Sequence, residues 1–355
     1  MVDTFREMNE RGHEQIVFCR DARTKLNGIV AIHSTVLGPA LGGTRVWAYD
    51  TTDAALIDAL RLSRGMTYKS SLAGLALGGG KAVIVKDPKN PPTLDCFREF
   101  GRFVDSLSGR YVTAEDVGTD EAAMNAIRES TRHVTGGVYE GGYGDPSPIT
   151  AVGVFEGIKA TLEKVFGSPD PKGRSVAVQG VGHVGAYICQ LLAEAGARLI
   201  VSDIDAARVE TLAKQLKAAT CPADQILAAE CDVFCPCALG GIINDKTVGK
   251  LRCKIVAGAA NNPLGEERHA DELAKRNILY APDYAINAGG IIHVGSEYLG
   301  VSKEEAYTKA VAIGQTIRKV IQIAATEGIT TLKAANRMAE ARIAAAARAP
   351  KAAVV

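Results

Sequence analysis

Short β-branched runs at residues 15–19 and 28–32 read as strands. From Asp53, which can cap a helix, Leu56, Ile57, Leu60 and Met66 recur with a helical period, predicting a helix that delivers Lys69. The triple glycine Gly78-Gly79-Gly80 before Lys81 predicts a turn, with a strand over 82–85. Residues 110–118 predict a short strand ending in the acids Glu115 and Asp116. Turn formers crowd 141–148, so a domain boundary is expected there, and a helix follows from Thr150 to Phe166, closed by Gly167. From Ser175 the pattern alternates strand, helix, strand, helix, as a doubly wound sheet requires. A buried strand is expected over 231–235, and two long helices split near Gly328 over 303–348. The fold class is therefore α/β, with a Rossmann-type doubly wound domain in the second half.

With 355 residues the chain is too long for one typical core, which favours two domains. A hydrophobic share of 47%, 23% charged residues and a net charge of +1 describe an ordinary globular chain. Balanced charge offers no reason to expect nucleic acid or an anionic membrane as partner, so a small molecule is expected instead. The N-terminus carries no apolar signal region, and no apolar run reaches membrane-spanning length, so a cytoplasmic location is expected. Eight scattered cysteines read as reduced thiols. The cluster Cys231, Cys235 and Cys237 lacks a second ligand pair at zinc-site spacing, and no metal is expected.

Residues 175–185 form an apolar strand opening into a helix, and they carry Gly180-x-Gly182-x-x-Gly185. The first glycine makes the tight turn, the second admits a pyrophosphate to the backbone, and the third lets helix pack on strand. Asp203 ends the next strand, where a carboxylate accepts the ribose hydroxyls and repels a 2′-phosphate. The expected cofactor is NAD.

Lys69 and Lys81 are natural candidates for chemistry. Gly78-Gly79-Gly80-Lys81 is not a phosphate loop, since Leu75 and Ala82 stand where glycine and Ser or Thr are required. A lysine leaving glycines into an apolar strand is held partly out of water, and a second ammonium nearby lowers its pKa further. Such a lysine can act as a base near neutral pH, and Glu115 or Asp116 could complete the set. His183 and His293 read as a variable loop position and a core or pocket-rim residue.

The segments Thr35-Val-Leu-Gly-Pro-Ala-Leu-Gly-Gly-Thr-Arg45, Arg64-Gly-Met-Thr-Tyr-Lys69, Gly78-Gly-Gly-Lys81 and Thr113-Ala-Glu-Asp-Val-Gly118 resemble the Glu/Leu/Phe/Val amino acid dehydrogenases, most of all their leucine branch. Residues 146–148, 236–241, 257–262 and 280–290 continue the likeness along nearly the whole chain. The resemblance implies a substrate and oligomerisation domain over 1–148, an NAD-binding domain over 149–329, and C-terminal helices, about 330–355, returning to the first. It implies that Lys69 binds the substrate carboxylate, Lys81 activates water, and Asp116 exchanges protons with the amine. It places Leu41, Gly42, Gly43, Ala114, Ile291 and Val294 around the substrate, with Asn262 between substrate and cofactor. Thr150 would touch the nicotinamide amide, and Val184, Cys237, Ala238 and Asn287 would join Gly180, Gly182, Gly185 and Asp203 around NAD. The partners implied are an amino acid or 2-oxo acid, ammonia, and further copies of the chain.

Leu41 stands where glutamate-selective relatives carry lysine, which disfavours a γ-carboxylate. Ala114 agrees with leucine, isoleucine and valine. His293 departs from the asparagine usual in leucine enzymes, and residues 258–262 also resemble phenylalanine and tryptophan enzymes. An aromatic amino acid dehydrogenase is thus the alternative, and a catalytically silent NAD-binding regulator is a third reading, opposed by the intact Lys69, Lys81 and Asp116.

Overall fold

The computed structural model describes residues 2–137, 139 and 142–349. The expectations placed on Gly141 and on 350–355 lie outside the described residues. The chain divides into two compact units, one of Met1–Gly144, His293–Lys303 and Ala339–Val355, the other of Asp145–Ile292 and Glu304–Met338.

The first unit runs α1 (Thr4–Arg11), β1 (Gln15–Asp21), β2 (Leu26–Ser34), β3 (Ala40–Trp47), α2 (Thr52–Leu72), β4 (Gly78–Val85), α3 (Leu94–Ser106), β5 (Tyr111–Glu115) and α4 (Glu121–Arg128). Its sheet has the order β1-β2-β4-β3-β5. The pairs β1/β2 and β2/β4 are antiparallel, whereas β3 runs parallel to both β4 and β5. Along β2, Ile29 and Ala31 pack with Ala55, Leu56 and Leu60 of α2. Their neighbours Val30 and Ile32 pack with Phe97, Phe100 and Val104 of α3 and Ile127 of α4. Over residues 28–32 the strand is buried on both faces, so that run is continuously apolar rather than alternating.

Two local expectations change here. The triple glycine is not a turn but the start of β4. A Cβ on Gly78 or Gly79 would strike the backbone of Ser34 or Thr67, and one on Gly80 would lie 2.7 Å from the Tyr111 ring. These glycines therefore serve close packing within the sheet and against α2. The cap of α2 is Thr51, whose hydroxyl accepts from Ala54 N at 3.0 Å, while Asp53 lies in the first turn.

The second unit begins with α5 (Ser147–Phe166), three residues earlier than expected, because Pro148 fits a helix's first turn. It continues through β6 (Ser175–Gln179), α6 (His183–Glu194), β7 (Arg198–Ser202), α7 (Ala206–Leu216), β8 (Ala219–Thr220), β9 (Val233–Pro236) and β10 (Ile255–Val256). Then come α8 (Arg268–Lys275), β11 (Leu279–Tyr280), α9 (Asp283–Ile286), α10 (Gly289–Leu299), α11 (Lys303–Val311), α12 (Ile313–Glu327) and α13 (Thr331–Arg348). Six parallel strands form the sheet, in the order β11-β10-β9-β6-β7-β8. Cys231 precedes β9 rather than opening it.

The C-terminal stretch holds three helices, not two. Besides the break at Gly328, a turn at Ala312, where Gln315 N bonds Ala312 O, separates α11 from α12. The boundaries expected from sequence also leave 293–303 with the cofactor domain, whereas this stretch packs in the first unit. Glu297 is the reason: its carboxylate accepts from Thr135 Oγ1, Gly136 N, Tyr139 OH and Tyr143 N. Among the described residues, no helix is long and apolar enough to cross a membrane.

Candidate active site

Lys81 and Asp116, apart in sequence, meet in the first unit. Lys81 Nζ lies 2.8 Å from Asp116 Oδ2, with the lysine side chain 6% exposed. Arg45 of β3 donates from Nε to the same oxygen at 3.0 Å and from Nη1 to Asp58 Oδ2 at 3.0 Å. Asp58, on α2, also accepts from Tyr49 OH at 2.7 Å and from Arg61 Nη2 at 3.0 Å. Burial lowers the Lys81 pKa and the Arg45 cation adds to this, against the opposing pull of Asp116. Burial alone would raise the Asp116 pKa, but Lys81 and Arg45 outweigh it and hold the carboxylate below its usual range. The pair can thus present an ionised acid beside an amine that gives up its proton readily.

The paired glycines seat this pair. A Cβ on Gly43 would lie 2.8 Å from Asp116 Cβ and 2.6 Å from Glu115 O, and one on Gly42 would strike Gly80 O. Lys69 stands in the last turn of α2, half-buried. The next residue, Ser70, donates to Gly78 O at 3.0 Å and ties that turn to the start of β4. Leu41 is fully buried, and Ala114, its neighbour strand's residue opposite Gly43, is 6% exposed. A Cβ on Gly295 of α10 would lie 3.6 Å from Leu41 Cδ2, so the turn bearing Val294 runs past Leu41. Ile291 is buried as well. His293 accepts a structural role: its Nε2 lies 3.0 Å from Gly144 O and its ring stands edge-on to Tyr143.

In the second unit Gly180 has φ +93°, and a Cβ there would lie 2.7 Å from Ala238 Cβ and 2.9 Å from Cys237 C. Gly185 packs directly on Gly180 O, and Gly182 is the N-cap of α6 with no side chain over the first N–H groups. Val184 lies half-buried in that first turn, and His183 is exposed. Asp203 accepts from Val181 N at 2.8 Å and from Asp205 N at 3.0 Å. Burial would raise its pKa, but these backbone donors outweigh it and keep it ionised. Thr150 Oγ1 donates to Pro146 O at 2.8 Å. Asn287 is 5% exposed, its Nδ2 donating to Ala259 O and Asn261 Oδ1, and its buried Oδ1 has no partner among the described residues. Asn262 is exposed, with φ +49°, held by Asp283 Oδ2 at 2.8 Å from its N. A bare helix start, a turn only glycine can make, an ionised acid at the next strand's end and an orphaned amide oxygen together fit a dinucleotide.

Sequence reasoning missed Arg45 and Asp58 as site residues. The available signal was a cation set between glycines and Val46 in a strand with no solvated face. Among the described residues no group of three or more His, Cys, Asp or Glu is placed to hold a metal ion.

The chain is similar to known proteins along nearly its whole length. Residues 13–133 match the Glu/Leu/Phe/Val dehydrogenase dimerisation domain. Residues 141–207 and 201–350 match the Glutamate/Leucine/Phenylalanine/Valine dehydrogenase domain. The chain is 50% identical to leucine dehydrogenase of Geobacillus stearothermophilus over 96% of its length and 94% of that protein's. It is 46% identical to phenylalanine dehydrogenase of Thermoactinomyces intermedius, covering 97% of this chain and 94% of that one. The crystal structure of L-tryptophan dehydrogenase from Nostoc punctiforme superposes with a TM-score of 0.87 at 44% identity, covering 97% of this chain and 99% of that one. The buried lysine–aspartate pair, the glycine turn and these likenesses lead to one statement: the chain belongs to the Glu/Leu/Phe/Val dehydrogenase family, as a leucine-dehydrogenase-like oxidoreductase that uses a nicotinamide cofactor on amino acids.

Proposed function

We propose that the chain catalyses the reversible, NAD-dependent oxidative deamination of a branched-chain aliphatic L-amino acid, leucine with valine and isoleucine, to its 2-oxo acid and ammonia. The observation that carries this reading is the buried Lys81 on Asp116 in the same unit as the wholly apolar Leu41 and Ala114. In this reading Lys69 holds the substrate carboxylate. Asp116 takes a proton from the substrate ammonium, leaving the neutral amine whose lone pair drives oxidation. When bound, the nicotinamide supplies the acceptor for the α-hydrogen as hydride. Lys81, neutral, removes a proton from the water that adds to the resulting iminium carbon and passes it to the carbinolamine nitrogen; it then takes the hydroxyl proton as ammonia leaves and the 2-oxo acid forms. In the cofactor unit, Thr150 and the free Oδ1 of Asn287 receive the nicotinamide amide.

Leu41, Ala114 and Val294 receive the substrate side chain, and Ile291, one turn earlier in α10, is the further apolar position. No cation stands at position 41, so a γ-carboxylate would be buried unpaired. The aromatic reading remains the second one: the family members named for phenylalanine and tryptophan lie at similar identity, residues 258–262 resemble them, and His293 departs from the asparagine usual in leucine enzymes. Ionised Asp203 favours NAD over NADP by repelling a 2′-phosphate. The match to a dimerisation domain supports a homo-oligomer, and the cytoplasm is its proposed location.

Initial rates of NADH formation with L-leucine, L-valine, L-isoleucine, L-phenylalanine and L-glutamate test the reading. Leucine should lead, with valine and isoleucine following within roughly 10–200-fold, since an apolar pocket separates substrates by ~1–3 kcal/mol per methylene. A lead by phenylalanine overturns the pocket assignment, a lead by glutamate overturns the role of Leu41, and no turnover with any amino acid overturns the activity.

A further inference from the structure

Asp116 is bonded unevenly. Its Oδ2 takes both Lys81 Nζ and Arg45 Nε, while Oδ1 has no hydrogen bond among the described residues. Arg45 is itself fixed at its far end, where Nη1 meets Asp58 Oδ2, an oxygen also held by Tyr49 OH. The other Asp58 oxygen takes Arg61. Arg45 and Asp58 are 22% and 17% exposed in their side chains, so neither is a loose surface partner.

We propose that Arg45, anchored on Asp58, is a positioning residue that commits Asp116 Oδ2 to Lys81 and leaves Oδ1 to take the proton of the substrate amine. The proposal rests on the amino acid dehydrogenase reading of the site. A planar guanidinium gripped at both edges cannot rotate, so the carboxylate it holds cannot turn about its own axis and exchange its two oxygens. Had Lys81 alone held Asp116, a compact ammonium would have allowed that exchange. Arg45 also adds a fixed positive charge beside both titrating groups. Its removal therefore raises the pKa of Lys81 and of Asp116 together, whichever of them governs the acid side of the rate profile.

The test is the pH profile of kcat and kcat/KM for L-leucine oxidation with wild type, Arg45→Lys, Arg45→Met and the double variant Arg45→Met/Asp58→Asn. The double variant removes both members of the pair, so no buried charge is stranded if Arg45→Met alone fails to fold. Arg45→Lys keeps the charge and loses the fork: kcat should fall roughly tenfold, with the acid limb unmoved. Arg45→Met should lower kcat at least as far and move the acid limb up by about one pH unit, and the double variant should move it the same way by less, because the Asp58 charge that raises the Lys81 pKa is lost as well. KM for leucine should change less than kcat in every case. An acid limb that stays put when the Arg45 charge is lost, or wild-type kcat in Arg45→Lys, overturns the proposal while leaving the enzyme reading intact. A wild type without turnover on any amino acid overturns the enzyme reading first.

Discussion

In the proposed reaction Asp116 works as an ionised proton acceptor; burial acts against ionisation, and two cations outweigh it. Replacing it by asparagine leaves Lys81 buried without a counter-charge and removes the proton acceptor, so kcat should fall by roughly 10²–10⁴. Steady-state rates with L-leucine, alongside a thermal melt to show that the fold survives, check this. Gly43 carries a second prediction. With Asp116 Cβ 2.8 Å from where an alanine methyl would sit, Gly43→Ala must push the aspartate off Lys81. The expected result is a larger loss in kcat than rise in KM, and equal kinetics to wild type would show that the close approach has no catalytic consequence. Lys81 and Lys69 stand out as candidates because lysines beside glycines and apolar strands are conspicuous, whereas the choice of Asp116 over Glu115 rests on the family resemblance. Arg45 and Asp58 were not, since an arginine in a strand and an aspartate in a helix give no sign that they meet.

The elements that position these residues depend on close packing more than on turn chemistry. The glycines of β4 look like a turn along the sequence, and only the approach of Thr67 on α2 and Tyr111 on β5 shows why they lie within a strand. Such reasons belong to neighbours remote in sequence, which periodicity cannot supply. The alternation of 175–216, by contrast, was legible because each strand and helix there follows its own local period. Between α1, β2 and α2 lie two buried histidines, their rings 4.8 Å apart. His13 Nε2 meets Leu60 O and Ser63 Oγ, and His33 meets Thr67 Oγ1 and Arg11 O. Burial pushes both down to about 4, and for His13 the neighbouring ring adds to it. Because the folded pKa lies below the unfolded value, stability from these rings is full above about pH 6.5 and declines as pH falls towards 4. The loss should be on the order of 2 kcal/mol per ring, allowing for their partial solvation. Urea midpoints at neutral and mildly acidic pH measure it, and a difference unchanged by His33→Asn would contradict the assignment.

At the scale of the whole molecule, the chain pairs a mixed sheet carrying the lysine–aspartate pair with a parallel sheet carrying the dinucleotide turn. The α/β class and the glycine turn could be read from sequence because their motifs are contiguous. The assignment of 293–303 to the first unit could not, since it depends on Glu297 gathering four donors from 135–143. In the cofactor unit, Asp203→Ala should bring the kcat/KM for NADP closer to that for NAD, and an unchanged ratio would move discrimination elsewhere. In the proposed function a buried lysine of lowered pKa, paired with Asp116, drives amino acid oxidation. The most direct test is NADH formation from L-leucine by wild type and Lys81→Ala, with NAD binding measured on both proteins. The wild type should turn over, the variant should lose several orders of magnitude in rate, and both should bind NAD equally. Undiminished turnover in Lys81→Ala, or a wild type that binds NAD and oxidises no amino acid, would contradict that reading.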